Sequence, residues 1–200
     1  MTTEIIIYSD YVCPYCLLVE TELRQAIKGK DIKIRWRPFE LRPFPVPTLR
    51  VEDEYLPSIW KHSVYPLAEK LGVDITLPDI SPQPRTDKAF EAFAYAEDYG
   101  KGDEFSLAVM SAFFQQGKNI GDITILTELG ENIGLNRDDM QEVLESNNYR
   151  QQHQRALKQA YDEDKITVVP TIIIGGHRYQ GFPTKSWLNN ALDALEVLEN

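Results

Sequence analysis

The chain has 200 residues, 42% of them hydrophobic, enough to bury the core of one domain or of one domain with a sizeable insertion, and too many for a disordered chain. Its formal net charge of −10 opposes docking on phosphate backbones and on anionic membrane surfaces, which sets aside nucleic acid and membrane as partners. No apolar run approaches a membrane span, and the opening "MTTEIIIYSD" lacks the positive, long-apolar pattern of a secretory leader, so a cytoplasmic location is expected.

Ile5, Ile6, Ile7 and Tyr8 form a short apolar run rich in β-branched residues, the pattern of a central strand buried on both faces. A helix follows, because Pro14 suits a first helical turn and "YCLLVETELRQAIKG" supplies good helix formers up to Gly29. Residues 31 to 37, "DIKIRWR", alternate Ile32, Ile34 and Trp36 with charged side chains and predict a second strand, parallel to the first and reached by a right-handed crossover. The prolines of "RPFELRPFPVP" then break regular structure, and about a hundred mostly helical residues come next. Ala89, Ala92, Phe93 and Ala96 make one core-facing stripe; Phe105, Ala108, Val109, Ala112 and Phe113 make another. Asp122 or Thr124 is expected to cap a helix that runs through Leu126, Leu129 and Ile133 and stops at Gly134, and Asp138 to cap one through Met140, Val143 and Leu144. A further helix should span about 148 to 164. "TVVPTIIIGGHRYQGF" reads as strand, Gly-rich turn and second strand, and Thr184 should cap a last helix that buries Trp187, Leu188, Ala191, Leu192, Leu195 and Leu198. The order is β-α-β, a helical stretch, then α-β-β-α, an α/β chain in which the two ends would make one small sheet.

The chain's two cysteines, Cys13 and Cys16, sit at the first strand-to-helix junction. A bridge between them would close a four-residue loop and constrain the unfolded chain very little, and a reducing compartment disfavours structural disulfides, so redox or metal chemistry is the better reason for the pair. Cys13 at the N-cap would face unpaired backbone N–H groups and the positive end of the helix dipole, which favour a thiolate; it is expected to be the more exposed and more acidic thiol. Cys16, one turn on, could resolve a mixed disulfide formed at Cys13, and Pro14 and Tyr15 between them would tune the potential. A zinc site would need more ligands, and His62, His153 and His177 are far apart with no second C-x-x-C, so no metal set is assigned. His153 lies in register with Ala156, Leu157 and Ala160, which favours packing, and His177 should be exposed in the hairpin turn. The proline of "VVPT" alone reads as a strand start; beside a C-x-x-C it becomes a second signal of the same site.

"SDYVCPYC", the β-α-β opening, the long helical stretch and "VVPTIIIGG" together resemble the thioredoxin-fold DsbA family. "SDYVCPYC", "WRPFELRP", "FFQQGKNIGD" and "VPT", in this order, resemble its cytoplasmic FrnE-like branch, related to 2-hydroxychromene-2-carboxylate isomerases and kappa-class glutathione transferases. The resemblance covers nearly the whole chain and implies a thioredoxin-like fold with a large helical insertion: residues 1–44 and 148–200 as the thioredoxin-like domain, 45–147 as the insertion. It implies that Cys13 is the nucleophile, Cys16 the resolving thiol and Pro170 a cis-proline facing them. The implied activity is thiol–disulfide exchange on protein or small-molecule substrates, through a redox-active Cys13–Cys16 disulfide and no bound cofactor. Pro14, Tyr15, Val169 and Thr171 are the expected substrate contacts, Val169 through its free backbone groups.

Two departures bear on this. Many relatives carry a glycine before the Val-Pro pair where this chain has "ITVVPT", and the kappa-class and isomerase relatives carry serine at the position of Cys13. The dithiol favours exchange over a glutathione-dependent transferase or isomerase, which stays the alternative; a non-enzymatic thiol-metal module is a third reading. Glutathione is left open as a co-substrate, as are oligomeric state and the direction of electron flow. Residues 45 to 147 are expected to select the substrate, with Phe39 and Phe44 as candidates for lining a groove or, more in keeping with their apolar surroundings, for packing.

Overall fold

The computed structural model describes residues 3–198. Four strands, β1 (Thr3–Ser9), β2 (Ile32–Pro38), β3 (Thr171–Ile174) and β4 (His177–Gln180), form one sheet in the order β2-β1-β3-β4. β1 pairs parallel with β2 and antiparallel with β3, and β3 pairs antiparallel with β4. The apolar run of β1 is thus an inner strand, and its side chains divide by the period of two: Ile5 and Ile7 face the main apolar core, while Ile6 and Tyr8 face a smaller cluster that contains Cys13, Cys16 and Val169.

Helix α1 (Pro14–Ala26) starts where Pro14 fixes the first turn and sends Leu17, Leu18, Val19 and Leu23 into the core. After β2 come α2 (Tyr55–Ile59), a π-helical turn (Trp60–Val64) and α3 (Tyr65–Leu71), then α4 (Asp87–Asp98), α5 (Gly102–Phe114), α6 (Ile123–Asn132), α7 (Arg137–Glu145) and α8 (Arg150–Lys158). A second π-helical turn (Gln159–Glu163) leads to β3, and α9 (Lys185–Leu198) closes the chain. The two predicted stripes are buried in α4 and α5 apart from Ala108, which is half-buried, and they share one continuous core with Ile5, Leu18 and Ile172.

Caps follow the side-chain chemistry. Asp122 accepts from the Thr124 N–H at 2.8 Å and starts α6, and the Trp187 N–H donates to the Thr184 hydroxyl at 3.2 Å. Asp138 does not cap α7: Asn136 does, accepting from the Asp139 N–H at 3.0 Å, which leaves Asp138 and Asp139 in the first turn where the helix dipole favours negative charge. The β3–β4 hairpin turns on Gly175 and Gly176, with φ of +54° and +82°, the doubly left-handed turn that suits a two-residue hairpin. His177 is exposed as expected, but it opens β4 opposite Ile174 instead of lying in the turn, because the two glycines alone complete it. In α9, Leu188, Ala191, Leu192 and Leu195 are buried and Trp187 is half-buried; the Leu198 side chain lies outside the described residues.

A polar seam ties the sheet to the helical region. The Asp103 carboxylate of α5 accepts from Trp36 Nε1 at 2.7 Å and from Arg24 at 2.6 Å, and Arg24 also reaches Glu20. Among the described residues, no helix is long and apolar enough to cross a membrane.

Candidate active site

The C-x-x-C begins where β1 ends. Cys13 is the N-cap of α1, extended at φ −90° and ψ 111°, and its N–H donates to the Asp10 carbonyl at 3.0 Å, which turns the chain from strand into helix. Its side chain makes no capping bond; the Sγ instead lies 3.5 Å from the Val169 carbonyl oxygen. The Val169–Pro170 peptide bond is cis, as expected, and this contact brings the two separated motifs, 156 residues apart, to one place.

Both cysteines are free thiols, and both are buried: Cys13 is 5% exposed and Cys16 is fully covered. The expectation of an exposed Cys13 is therefore corrected. The Val169 carbonyl packs on one side of its sulfur, and Cys13 belongs to a small apolar cluster with Tyr8, Cys16, Phe39, Ala160, Ile166 and Val169. Burial pushes the Cys16 thiol well above the ordinary thiol range, and the adjacent Cys13 sulfur pushes it further, through both a hydrogen bond and its charge; the Ser9 hydroxyl and the Asp10 backbone N–H pull it partly back.

A cleft of about 220 Å³ opens onto Cys13. Pro14, Tyr15 and Val169 line it with Cys13, so four of the expected residues meet there. Thr171 does not: it is fully buried at the start of β3, and its hydroxyl donates to the Val168 carbonyl at 2.5 Å. Pro170 is buried behind the cleft, its carbonyl accepting from the Gly181 N–H at 2.8 Å. Phe39 packs edge-on against Tyr161 at 4.8 Å in the small cluster, whereas Phe44 is 83% exposed, so the packing reading fits the first and not the second.

The opposite wall is made by α2 and its π-helical turn, through Tyr55, Leu56, Trp60 and Val64. The Tyr15 hydroxyl, from between the cysteines, lies 2.5 Å from the Ser63 hydroxyl in that turn. Local widenings of a helix of this kind are frequent at functional sites. Nothing in the local sequence around "SIWKHSV" announces the contact, since it depends on chain 48 residues away from Tyr15.

Beneath the motif lies a buried polar cluster that the sequence reading did not single out. Asp10 is 1% exposed; its Oδ2 accepts from the Leu41 N–H at 2.7 Å, and its Oδ1 has no hydrogen-bond partner. Burial raises its carboxyl to about 7, against the Leu41 N–H, the Thr86 hydroxyl and the Val12 N–H, which lower it, and with the Glu40 charge, which raises it further. Next to it, Glu40 Oε1 sits 2.6 Å from Nε2 of His153, whose ring stacks on Phe90 at 5.3 Å. His153 is therefore a packed helix histidine with a carboxylate partner. The available signal for Asp10 was an acidic residue inside an otherwise apolar strand end, "IIIYSDYVC".

The arrangement places a thiol at a helix N-terminus, a second thiol one turn behind it and an extended backbone carbonyl beside the first. This is a geometry in which a disulfide can be attacked, held and resolved. Known proteins agree at the level of family. The DSBA-like thioredoxin domain matches residues 4–196. The chain is 47% identical over 193 residues to the uncharacterized protein YwbO of Bacillus subtilis, covering 96% of each chain. Among solved structures it resembles a "probable DsbA oxidoreductase" of Streptomyces coelicolor, with a TM-score of 0.80, 18% identity and coverage of 96% of this chain and 89% of that one. It also resembles a 2-hydroxychromene-2-carboxylate isomerase, with a TM-score of 0.73, 17% identity and coverage of 98% and 94%. The cytosolic disulfide reductase DsbM of Pseudomonas aeruginosa matches with a TM-score of 0.68, 17% identity and coverage of 98% and 97%. The sheet order, the cysteine pair at the head of α1 and the match over almost the whole length lead to one conclusion: the chain belongs to the DSBA-like thioredoxin domain family, with a thioredoxin-like α/β fold.

Proposed function

We propose that the protein is a cytoplasmic thiol–disulfide oxidoreductase that works through Cys13 and Cys16. The single observation that carries this reading is the placement of Cys13 Sγ, 3.5 Å from the Val169 carbonyl, at the head of α1 and in the wall of an open cleft. The Cys13 thiolate attacks one sulfur of a substrate disulfide; a Cys13–substrate disulfide forms and the other substrate sulfur leaves as a thiolate. The Cys16 sulfur then attacks Cys13 Sγ, releasing the second substrate thiolate and leaving a Cys13–Cys16 disulfide. Two electrons pass from protein to substrate, and the reverse sequence oxidises a substrate dithiol.

The two thiols are matched to this order. In the resting dithiol, burial holds the Cys16 thiol well above its ordinary range, and the adjacent Cys13 sulfur adds to the effect. Drawing Cys13 into a mixed disulfide weakens the contribution of its sulfur, so Cys16 becomes easier to deprotonate at the stage when it has to attack. The Val169 backbone, next to the sulfur under attack, is the natural place for a substrate chain to lie, and the helical residues 45–147 supply the wall that selects it.

DsbM is named a cytosolic disulfide reductase and is also known in complex with glutathione; at 17% identity the likeness carries the fold, and the reducing direction, a cytoplasmic location and glutathione as a thiol co-substrate are proposed by analogy with it. The likeness to an isomerase carries fold only, and the intact dithiol supports exchange over isomerisation. A Cys16→Ser variant should accumulate mixed disulfides with its substrates, while a Cys13→Ser variant should not. Equal trapping by both variants, or trapping by Cys13→Ser alone, would overturn the assignment of roles.

A further inference from the structure

The Cys13 cleft continues past its apolar wall. Val12, Leu41, Leu49, Tyr55, Leu56 and Gln83 line both the cleft and a second arm of about 180 Å³, so the two form one groove. Its chemistry changes along its length. The Cys13 end is mostly apolar and holds no charged side chain, and the far end carries Arg42, Arg85, Thr48 and Thr86.

The two arginines stand out in a chain of net charge −10. Arg85 is fixed in place: its two Nη groups donate to the carbonyls of Arg42 and Val46, each at 3.0 Å, and its guanidinium lies 5.5 Å from the centre of the Phe44 ring. Neutral carbonyls and an aromatic face orient a guanidinium without cancelling its charge. No carboxylate pairs with Arg42 or Arg85 among the described residues. Asp10 is the one acidic side chain in the wall of this arm, and burial holds its carboxyl up at about 7, so near neutral pH it opposes an arriving anion far less than an ordinary aspartate would.

We propose that this arm is a carboxylate-binding subsite, in which Arg42 and Arg85 hold the acid group of a small disulfide whose sulfur reaches Cys13, so that anionic low-molecular-weight disulfides are the preferred substrate class. The proposal rests on the exchange activity proposed above and adds which substrates it takes. Arms of about 180 and 220 Å³ that share a wall leave room for a small disulfide, and Cys13, 5% exposed, is poorly placed for a bulky folded partner. Arg85 is held in the wall of the arm by its two carbonyl contacts and adds its charge beside Arg42, whose guanidinium makes no hydrogen bond or ion pair among the described residues.

The experiment compares reduction of dithiodipropionate, a dicarboxylate, with bis(hydroxyethyl) disulfide, its neutral counterpart, by the full chain recycled with dithiothreitol. The wild type should favour the dicarboxylate by about tenfold in kcat/KM, and Arg42→Gln should erase most of that ratio through KM, as expected for the loss of a charge-assisted hydrogen bond. Raising the salt concentration should shrink the ratio in the wild type and hardly change it in Arg42→Gln. Arg85→Gln is a second variant, to be judged beside its thermal midpoint because Arg85 also braces the loop. Binding of thiodipropionate, which has no disulfide to exchange, is measured by calorimetry and should weaken about tenfold in Arg42→Gln. If neither disulfide is turned over but thiodipropionate binds in an arginine-dependent way, the exchange reading fails and the subsite stands. Equal turnover of the two disulfides by the wild type, or thiodipropionate binding that ignores both arginines, would overturn the subsite.

Discussion

Cys13 and Cys16 share one helix turn and differ in surroundings, and that difference should be readable chemically. Cys16 is fully covered and held well above the usual thiol range, while Cys13 borders the cleft. Iodoacetamide at neutral pH should label Cys13 first, as peptide mapping would show; faster labelling of Cys16 would contradict the assignment. Asp10 offers a second test. Its carboxyl sits at about 7 against an ordinary 3.8, so the folded chain keeps a proton that the unfolded chain has lost. The contribution is complete below about pH 4 and is lost as the pH rises through 7, with a full difference on the order of 4 kcal/mol. Wild type should therefore lose stability relative to Asp10→Asn between about pH 4 and about pH 7, measured as denaturant midpoints. Parallel midpoints across that range would mean that Asp10 is charged and well solvated in the folded chain.

At the scale of elements, the cleft has one rigid wall and one wall held by few polar ties. The rigid side is β1, the head of α1 and the segment before β3. The facing side is α2 and its π-helical turn, and the bond from Tyr15 to Ser63 links that turn to the motif itself. Cys13 is 5% exposed where it borders this cleft, so movement of the facing wall is expected to change access to it. Ser63→Ala should raise the alkylation rate of Cys13 by about two- to tenfold, the worth of one hydrogen bond, with little change in the unfolding midpoint. An unchanged rate would mean that the cleft opens elsewhere. The strands, α1, the two alanine and phenylalanine stripes and the closing hairpin were legible in the sequence because each is fixed by a local rule: period two, period 3.6, a proline in a first turn or glycines at positive φ. The cap of α7 was misplaced by two residues because Asn136 and Asp138 are both good caps and only the backbone decides between them. The burial of Cys13 and the Ser63 contact were not legible, since both arise from chain that is distant in sequence and folded back over the motif.

Across the whole molecule, one continuous core joins the sheet to helices α2 to α7, so the helical region is packed onto the site it walls. Its exposed apolar rim near the cleft includes Leu41, 43% exposed, and Tyr55, 58% exposed. Leu41→Ser and Tyr55→Ser should change kcat/KM for a small disulfide by about three- to tenfold, while the equilibrium of the dithiol with a glutathione buffer stays where it was, because neither side chain belongs to the C-x-x-C. A matching shift in that equilibrium would indicate general damage to the fold. The central claim is that Cys13 and Cys16 form one reversible two-electron couple. The measurement that tests it most directly is equilibration of the wild type across a series of thiol–disulfide buffers, followed by acid quenching, thiol counting and mass mapping. Both thiols should be lost together, in a single two-electron transition that joins the peptides of Cys13 and Cys16, and the transition should vanish in Cys13→Ser. Independent loss of the two thiols, or two thiols that stay reduced in the most oxidising buffer, would contradict it.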